Sequence, residues 1–415
     1  MKLFTKRKKT KSVKDTKTSP PTRGLYKTEV GKTGLQQSYG YPSEEFLLAL
    51  SGANGIRTYR EMADNDPIVG GILFAVKQIL RELRWSVRGG EDENKEFLEE
   101  NMASMQHTWL DLIIEISSMF IYGWATMEQV YEVREGKNCW KKMPIRSQSS
   151  LDRWEIADNG DTLGLYQCPA PDYEEIYIPM HKLMHFRTEH FANNPEGRSI
   201  LRNAYRPYFM KKSIEEIEAV GVERDLVGMP VITLPEGMKV DGDEEATEAI
   251  GWAKKIVTNI RNDEQAGIVL PYGWEFELAA SPGNKAFDTS GIIRRYSTEI
   301  SVTVLAQFIM LGMERTGSYA LSNNITDMFY LCIEGWADVI ASTINNQAVK
   351  TLFALNGITD DIPQIVHTAI RRDSLENLSR YVSTLIGVDA MTITEDLKEY
   401  LVKYARLESF SDVRK

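Results

Sequence analysis

The stretch from Asp288 to Phe353 constrains the fold most, because it reads as a helix, a polar glycine-rich loop and a second helix. Asp288, Thr289 and Ser290 supply N-cap chemistry, and the chain then runs to Leu311 without a proline. If helical throughout, this run of 24 residues spans roughly 36 Å, at ~1.5 Å per residue. Gly312 follows the apolar Phe308-Ile309-Met310-Leu311 and predicts a C-terminal stop. The polar run Met313 to Asn324 comes next. A second helix is predicted from Thr326-Asp327, carrying Met328, Leu331, Trp336, Ile340, Ile344 and Phe353. Two long helices joined in this way form a scaffold that presents the loop to something else.

At 415 residues the chain can bury a full core in two or three domains. Its charge of −10 is uneven, since residues 1–33 hold eleven Lys or Arg against Asp15 and Glu29, a net of +9 that leaves −19 elsewhere. A basic, disordered arm on an acidic body is therefore expected, suited to a nucleic acid or an acidic partner if it is more than a solubilising tail. Cys139, Cys168 and Cys332 are isolated, which argues for a reducing compartment and against a disulfide framework or zinc finger. No secretory signal is read, and the longest apolar runs, such as Val302 to Met310, fall far short of the ~20 residues of a membrane span.

In chain order, Asp64-Asn65-Asp66-Pro67 predicts a helix start, followed by a stripe of Ile68, Val69, Ile72, Leu73, Val76, Ile79, Leu80 and Leu83. Trp85-Ser86-Val87 begins a strand, and residues 94–120 repeat the helical pattern. Short strands are predicted at Thr126–Val133, Trp140–Ile145, Trp154–Ile156, Leu163–Gln167 and Glu175–Pro179, with Gly160 and Gly164 marking turns. Gly197-Arg198-Ser199 is read as opening a long helix to about Leu226, kinked at Pro207. Its second half, from Lys211 to Glu218, is polar on most faces, as in a helix crowded by neighbours. Residues 229–282 read as a β-α-β-β excursion, with a helix from Asp243 to Asn262 and strands at Gly267–Pro271 and Trp274–Leu278. A last helical region runs from Asp373 to Leu407.

Catalytic patterns are weak. His181, His185 and His190 stand near one another, but their strand-and-turn context defeats the i, i+4 geometry of a metal site. Gly197-Arg198-Ser199 lacks the second glycine of a nucleophile elbow, Gly70-Gly71 lacks the third glycine of a dinucleotide fingerprint, and no Walker motif is present. Glu215, Glu216, Glu218, Glu223 and Asp225 read as a solvated face. We expect no enzyme, no cofactor and no metal. Two alternatives are kept: a nucleic-acid binder using the basic arm, and a hydrolase built on Ser199 and His185.

Asp66-Pro67-Ile68-Val69-Gly70-Gly71 is followed by Leu83-Arg84-Trp85-Ser86-Val87, then by Gly197-Arg198-Ser199 with Gly228-Met229-Pro230-Val231. Gly267-Ile268-Val269-Leu270-Pro271 with Trp274-Glu275-Phe276, and Gly317-Ser318-Tyr319-Ala320-Leu321 before the helix from Asp327, complete the succession. In this order of parts the chain resembles a bacteriophage portal protein from about Ser43 to Leu407. The resemblance implies an α+β, mainly helical subunit with wing, stem, clip and small crown. It also implies a ring, usually of twelve copies, at one capsid vertex of the virion, through which double-stranded DNA enters and leaves.

The implied divisions are a basic arm (1–43), a wing (44–195), a stem helix (196–228), a clip (229–282), a stem or tunnel helix (283–311), a tunnel loop (312–325), a long wing helix (326–360) and a crown (361–415). Implied partners are the terminase large subunit, major capsid or scaffold protein, and a head-completion or tail connector protein, with no membrane. Arg315, Thr316, Ser318, Tyr319, Asn323 and Asn324 would face DNA, with Gly312 and Gly317 letting the loop move. Arg294 and Arg295 are assigned to the channel or, equally, to salt bridges between subunits. Lys254 and Lys255 are candidates for motor contact. An acidic assembly with few basic groups at its constriction would let a polyanion slide.

Overall fold

The computed structural model describes residues 29, 31–227, 229–235, 244–259, 269–279, 288–304, 306, 319–370 and 383–384. Strands β1 (Gln37–Ser38) and β2 (Tyr41–Pro42) lead into helices α1 (Gly52–Asn65) and α2 (Pro67–Glu82). The predicted start of α2 is present: Asp66 Oδ1 accepts from the amides of Ile68 at 2.9 Å and Val69 at 3.0 Å, with Pro67 at the first position. Val69, Ile72, Leu73, Val76 and Leu80 of its stripe are buried. Each such side chain is worth on the order of 1.5–3 kcal/mol on leaving water.

The pattern read over 94–120 resolves into three helices after β3 (Trp85–Arg88): α3 (Asp92–Ser104), α4 (Trp109–Ile116) and α5 (Met119–Tyr122). A capping box between Thr108 and Asp111 restarts the chain as α4, and Gly123 at φ +93° closes α5. The strands that follow are β4 (Trp124–Glu128), β5 (Val130–Arg134), β6 (Lys137–Lys142), β7 (Ile145–Arg146), β8 (Leu151–Ile156), β9 (Thr162–Gln167), β10 (Ile176–Pro179) and β11 (Leu183–Arg187). They form antiparallel sheets ordered β11-β4-β7, β5-β6 and β10-β9-β8.

The strand expected from Thr126 to Val133 breaks at Gln129. The buried Gln129 side chain donates to the Gln347 carbonyl at 3.2 Å and accepts from the Tyr131 hydroxyl at 2.6 Å. Gly160, at φ +94°, makes the turn expected of it, but Gly164 lies inside β9 opposite Pro179.

The helix expected from Gly197 starts later, as α6 (Tyr205–Val227). Pro207 therefore falls in its first turn, where amides have no intrahelical partner, and no kink is needed there. Residues 188–204 instead form an irregular connector tied to α5. The Ile200 amide donates to the Phe120 carbonyl, and Thr188 Oγ1 donates to the Gly123 carbonyl at 3.1 Å. Gly123 and Gly197 cross back to back, since a Cβ on Gly197 would stand 2.4 Å from the Gly123 carbonyl oxygen.

Beyond α6 come β12 (Met229–Thr233), α7 (Glu244–Asn259) and β13 (Glu275–Ala279), with β12 and β13 paired antiparallel. Of the further strand expected at Gly267–Pro271, the described part, Val269 to Pro271, is not strand. Helix α8 (Thr289–Thr303) is capped by Asp288 as predicted, but it ends at Thr303 and not at Leu311. Helix α9 (Tyr319–Thr343) starts before the expected Thr326 and continues through a π-helical turn, Ile344–Val349, into α10 (Lys350–Leu355). Its buried face carries Phe329, Ile333, Ala337, Ile340 and Ile344, whereas Met328 and Leu331 are exposed. A neighbour in sequence is rotated by ~100° about a helix axis, enough to leave the face.

Strand β14 (Gln364–His367) pairs antiparallel with β3, joining Ile365 to Val87. The first residues of the range assigned to a crown thus complete a sheet of the first domain. The region Asp373–Leu407 lies outside the described residues apart from 383–384. The main core gathers side chains of α1, α2, α4, β4, α9 and α10, and a smaller cluster holds Trp124, Trp154, Leu165, Ile178 and Leu183.

Gly197→Ala should lower stability by ~2 kcal/mol or more, because it adds a clash at a positive φ. Gly71→Ala, in open space on α2, should raise it by ~0.5–1 kcal/mol. Denaturant midpoints of the two variants check the pair.

Candidate functional site

Helices α6 and α8 pack against each other, and α8 also packs against α2 of the domain that contains α1 and α2. Their junction with it combines apolar packing, through Tyr208 and Ile300 in the main core, with a buried ion pair. Lys211 Nζ of α6 stands 2.8 Å from Asp66 Oδ2, and both side chains are only 3% exposed. Asp66 thus spends one oxygen on capping α2 and the other on α6. Around this pair, Glu215 lies 3.8 Å from Lys211, and Glu61 bonds both Lys212 and the Tyr208 hydroxyl. The Lys212 hydrogen bond holds the Glu61 carboxyl below its usual range, and burial pushes the Tyr208 phenol up. Farther along, Thr289 of α8 donates to Glu218 of α6.

The opposite face of α6 is apolar and open. Phe209 is 51% exposed and Ile217 63%, and Met210 and Val220 join them within roughly a 100° arc. Lys211 turns inward to the junction, whereas Lys212, Glu215 and Glu216 stay exposed, so the helix is polar on most faces as expected and carries its apolar strip on one of them.

The expected site residues fall as follows. Arg294 and Arg295 are both exposed on α8; Arg295 pairs with Glu299 at 3.7 Å and lies 4.6 Å from the Tyr296 ring. Lys254 and Lys255 are exposed on α7 beside the exposed Trp252. Gly312, Arg315, Thr316, Gly317 and Ser318 lie outside the described residues. Tyr319, Asn323 and Asn324 have helical backbone at the start of α9, so the loop read as ending near Asn324 is shorter at that end.

Ser199 and His185 do not form a nucleophile–base pair. Ser199 Oγ donates to the Ile121 carbonyl at 2.5 Å and accepts from the Leu201 amide at 3.0 Å. His185 Nε2 donates to the Pro195 carbonyl at 2.7 Å, and burial, with Arg187 nearby, lowers its pKa to about 3. On the Trp154 ring that packs against His185, Glu196 is half-buried and accepts from Trp154 Nε1 at 3.3 Å; desolvation raises its pKa to about 7. Neither Glu196 nor the Asp66–Lys211 pair was singled out from sequence. Only the capping position of Asp66 signalled that an acid there would be held in place.

Residues 56–400 match the family described as portal protein of Mu bacteriophage. The chain belongs to that family. Its function is that of a portal at a capsid vertex. The portal fold is similar to a chain in the virion of a native gene transfer agent particle, with TM-score 0.53 and 12% identity over 83% of this chain and 92% of that one. It is likewise similar to a chain in the neck of an empty gene transfer agent particle computed with C6 symmetry, at 0.55 and 12% with the same coverage. A chain in the neck of the native particle computed with C12 symmetry gives 0.52 and 10%, again over 83% and 92%.

The portal's junction yields two expectations. Lys211→Met leaves the buried Asp66 carboxylate without its cation and should cost ~3–5 kcal/mol. The double variant with Asp66→Asn should recover part of that loss in a denaturation cycle. Glu196, raised above its ordinary 4.5, contributes stability below pH 4.5 that is lost as pH rises through about 7, ~3 kcal/mol in all. His185 acts oppositely: its contribution is present above 6.5 and falls away toward pH 3. Glu196→Gln should remove the fall that Glu196 brings with rising pH, so that the rise supplied by His185 between about pH 3 and 6.5 is no longer offset and the profile steepens there, as read by melting temperature against pH.

Proposed function

We propose that copies of this portal protein close into a ring, usually of twelve, around double-stranded DNA that is packaged into and ejected from the capsid. The observation that carries this reading is the open apolar stripe of α6, with Phe209, Met210, Ile217 and Val220, on a helix whose Lys211, Lys212 and Glu218 are engaged within its own subunit. Isolated chains seldom leave such a stripe uncovered, and a heterologous contact repeated around a closed ring would cover it. Helices α6 and α8 then form the stem, and residues 44–195 with 326–360 the wing. The segment 312–325 faces the DNA, with Arg315, Thr316, Ser318, Tyr319, Asn323 and Asn324 as weak backbone contacts. Gly312 and Gly317 are its hinges, and Arg294 and Arg295 lie near the channel.

The unit of β12, α7 and β13 is the clip. Two strands and one helix leave Trp252, Val269 and Tyr272 exposed, so its surface suits a protein neighbour. On this reading it meets the terminase large subunit through Lys254 and Lys255, and the head-completion or tail connector protein later. Capsid or scaffold protein contacts the ring during assembly in the host cytoplasm, and the residues after β14 form a small crown. The net charge of −10 per chain makes the assembly strongly acidic, which keeps DNA from adhering to the wall. The portal acts as a conduit and supplies no catalytic group.

Native mass spectrometry and negative-stain imaging test the ring. Twelve chains of 47.2 kDa give about 566 kDa in a closed cyclic assembly. The variant Ile217→Asp/Val220→Asp should reduce the assembly to small species at the same concentration. Its monomer should keep its melting temperature, because both side chains are exposed in the single chain. Rings that persist unchanged in this variant, or a wild-type chain that stays monomeric at high concentration, would overturn the reading.

A further inference from the structure

A groove outside the stem has walls suited to a short basic and aromatic segment. It is a cavity of about 360 Å³ between the start of α1's approach and the connector, lined by Glu44, Phe46, Glu189, Phe191, Arg198 and Arg202 among others. Phe46 is 81% exposed and Phe191 69%, so two phenylalanine rings stand in water at its rim. The two cations are already engaged. Arg202 forks onto Glu45, with its guanidinium 5.2 Å from the Phe46 ring, and Arg198 donates to Asn203 at 3.1 Å. Glu44 and Glu189 supply negative charge on the same walls.

The chain itself arrives next to this groove. Glu29 accepts from Asn159 Nδ2 at 2.8 Å, and the Thr33 amide donates to the Asn159 carbonyl at 3.0 Å. The next residue, Gly160, accepts from Asn193 Nδ2 at 3.1 Å, and Asn194 already lines the groove. Upstream of Glu29 the sequence reads Arg23-Gly24-Leu25-Tyr26-Lys27. Three residues of extended chain from Glu29 reach ~10 Å. We propose that this groove receives the segment Arg23–Lys27 of the same chain. Leu25 and Tyr26 enter between Phe46 and Phe191, and Arg23 and Lys27 meet Glu44 and Glu189. Residues 1–28 carry ten Lys or Arg against Asp15 alone, so the occupant's charge is opposite to that of Glu189 and of Glu44, whose Oε1 accepts from the Gln36 amide at 2.9 Å and which has no cationic partner among the described residues. The docking fixes the root of the basic arm on the wing, and only the residues before it are left to engage another partner.

Zero-length carbodiimide cross-linking of the purified full-length protein, mixed from isotopically light and heavy chains, tests this directly. The Lys212–Glu61 pair serves as an internal control for fold and chemistry. The expected product joins Lys27 to Glu44 or Glu189 within one chain. The proposal is overturned if the control pair links and Lys27 does not, or if Lys27 links only between light and heavy chains. Limited trypsin digestion gives a second reading. Cleavage after Arg23 and Lys27 should be at least tenfold slower than after Lys14 and Lys17, and Phe46→Ala/Phe191→Ala should abolish the difference. Both replaced rings are solvent-exposed, so the fold is not at stake; equal cleavage at all four sites in the wild type sinks the proposal.

Discussion

The rest of the structure depends on one buried carboxylate. Asp66 ends α1, caps α2 and holds Lys211 of α6. Burying both charges is costly in itself, and it is tolerable because each is satisfied: the carboxylate takes two amides and an ammonium. Such an arrangement adds little to stability relative to an apolar contact of the same size, but it is highly selective. It fixes Lys211 of α6 at the start of α2, because a shift by one residue would strand both charges. Helix α6 is therefore held at the start of α2 by a polar contact, beside the apolar packing of its Tyr208 in the main core.

Local chemistry explains what could be read from the amino acids in advance. The start of α2 was readable because its cap, its proline and its stripe all lie within one turn of each other. The cap of α8 at Asp288 was readable for the same reason. The start of α6 was misplaced because Gly197 looks like a helix opener, and its actual role is to let the connector pass against Gly123, far away in sequence. The pairing of β14 with β3 joins residues almost three hundred positions apart, and no periodicity in either strand announces it. On α9 the apolar residues are so frequent that spacing alone did not tell Met328 from Phe329.

The candidate site divides in the same way. The existence of two long helices around a polar segment could be read from sequence, as could the exposed arginines of α8. The burial of Lys211 could not, because Lys211 and Lys212 are chemically alike and only the position of Asp66 selects between them. Glu196 was equally silent: a single glutamate in a loop becomes a desolvated acid only when Trp154, brought by another sheet, closes over it.

The π-helical turn at Ile344–Val349 has a mechanical consequence. Gln347 accepts from the His185 amide at 2.7 Å and its carbonyl meets Gln129, while Asn345 bonds both the amide and the carbonyl of Ile365 at 2.8 Å. The helix is thus bolted to three separate strands or strand ends at one point along its length, and that point coincides with its loosest hydrogen bonding. A load drawn along α9 from its Tyr319 end is grounded there before it reaches α10. The segment ahead of the turn acts as a lever arm, and the sheets behind it as the fixed bearing.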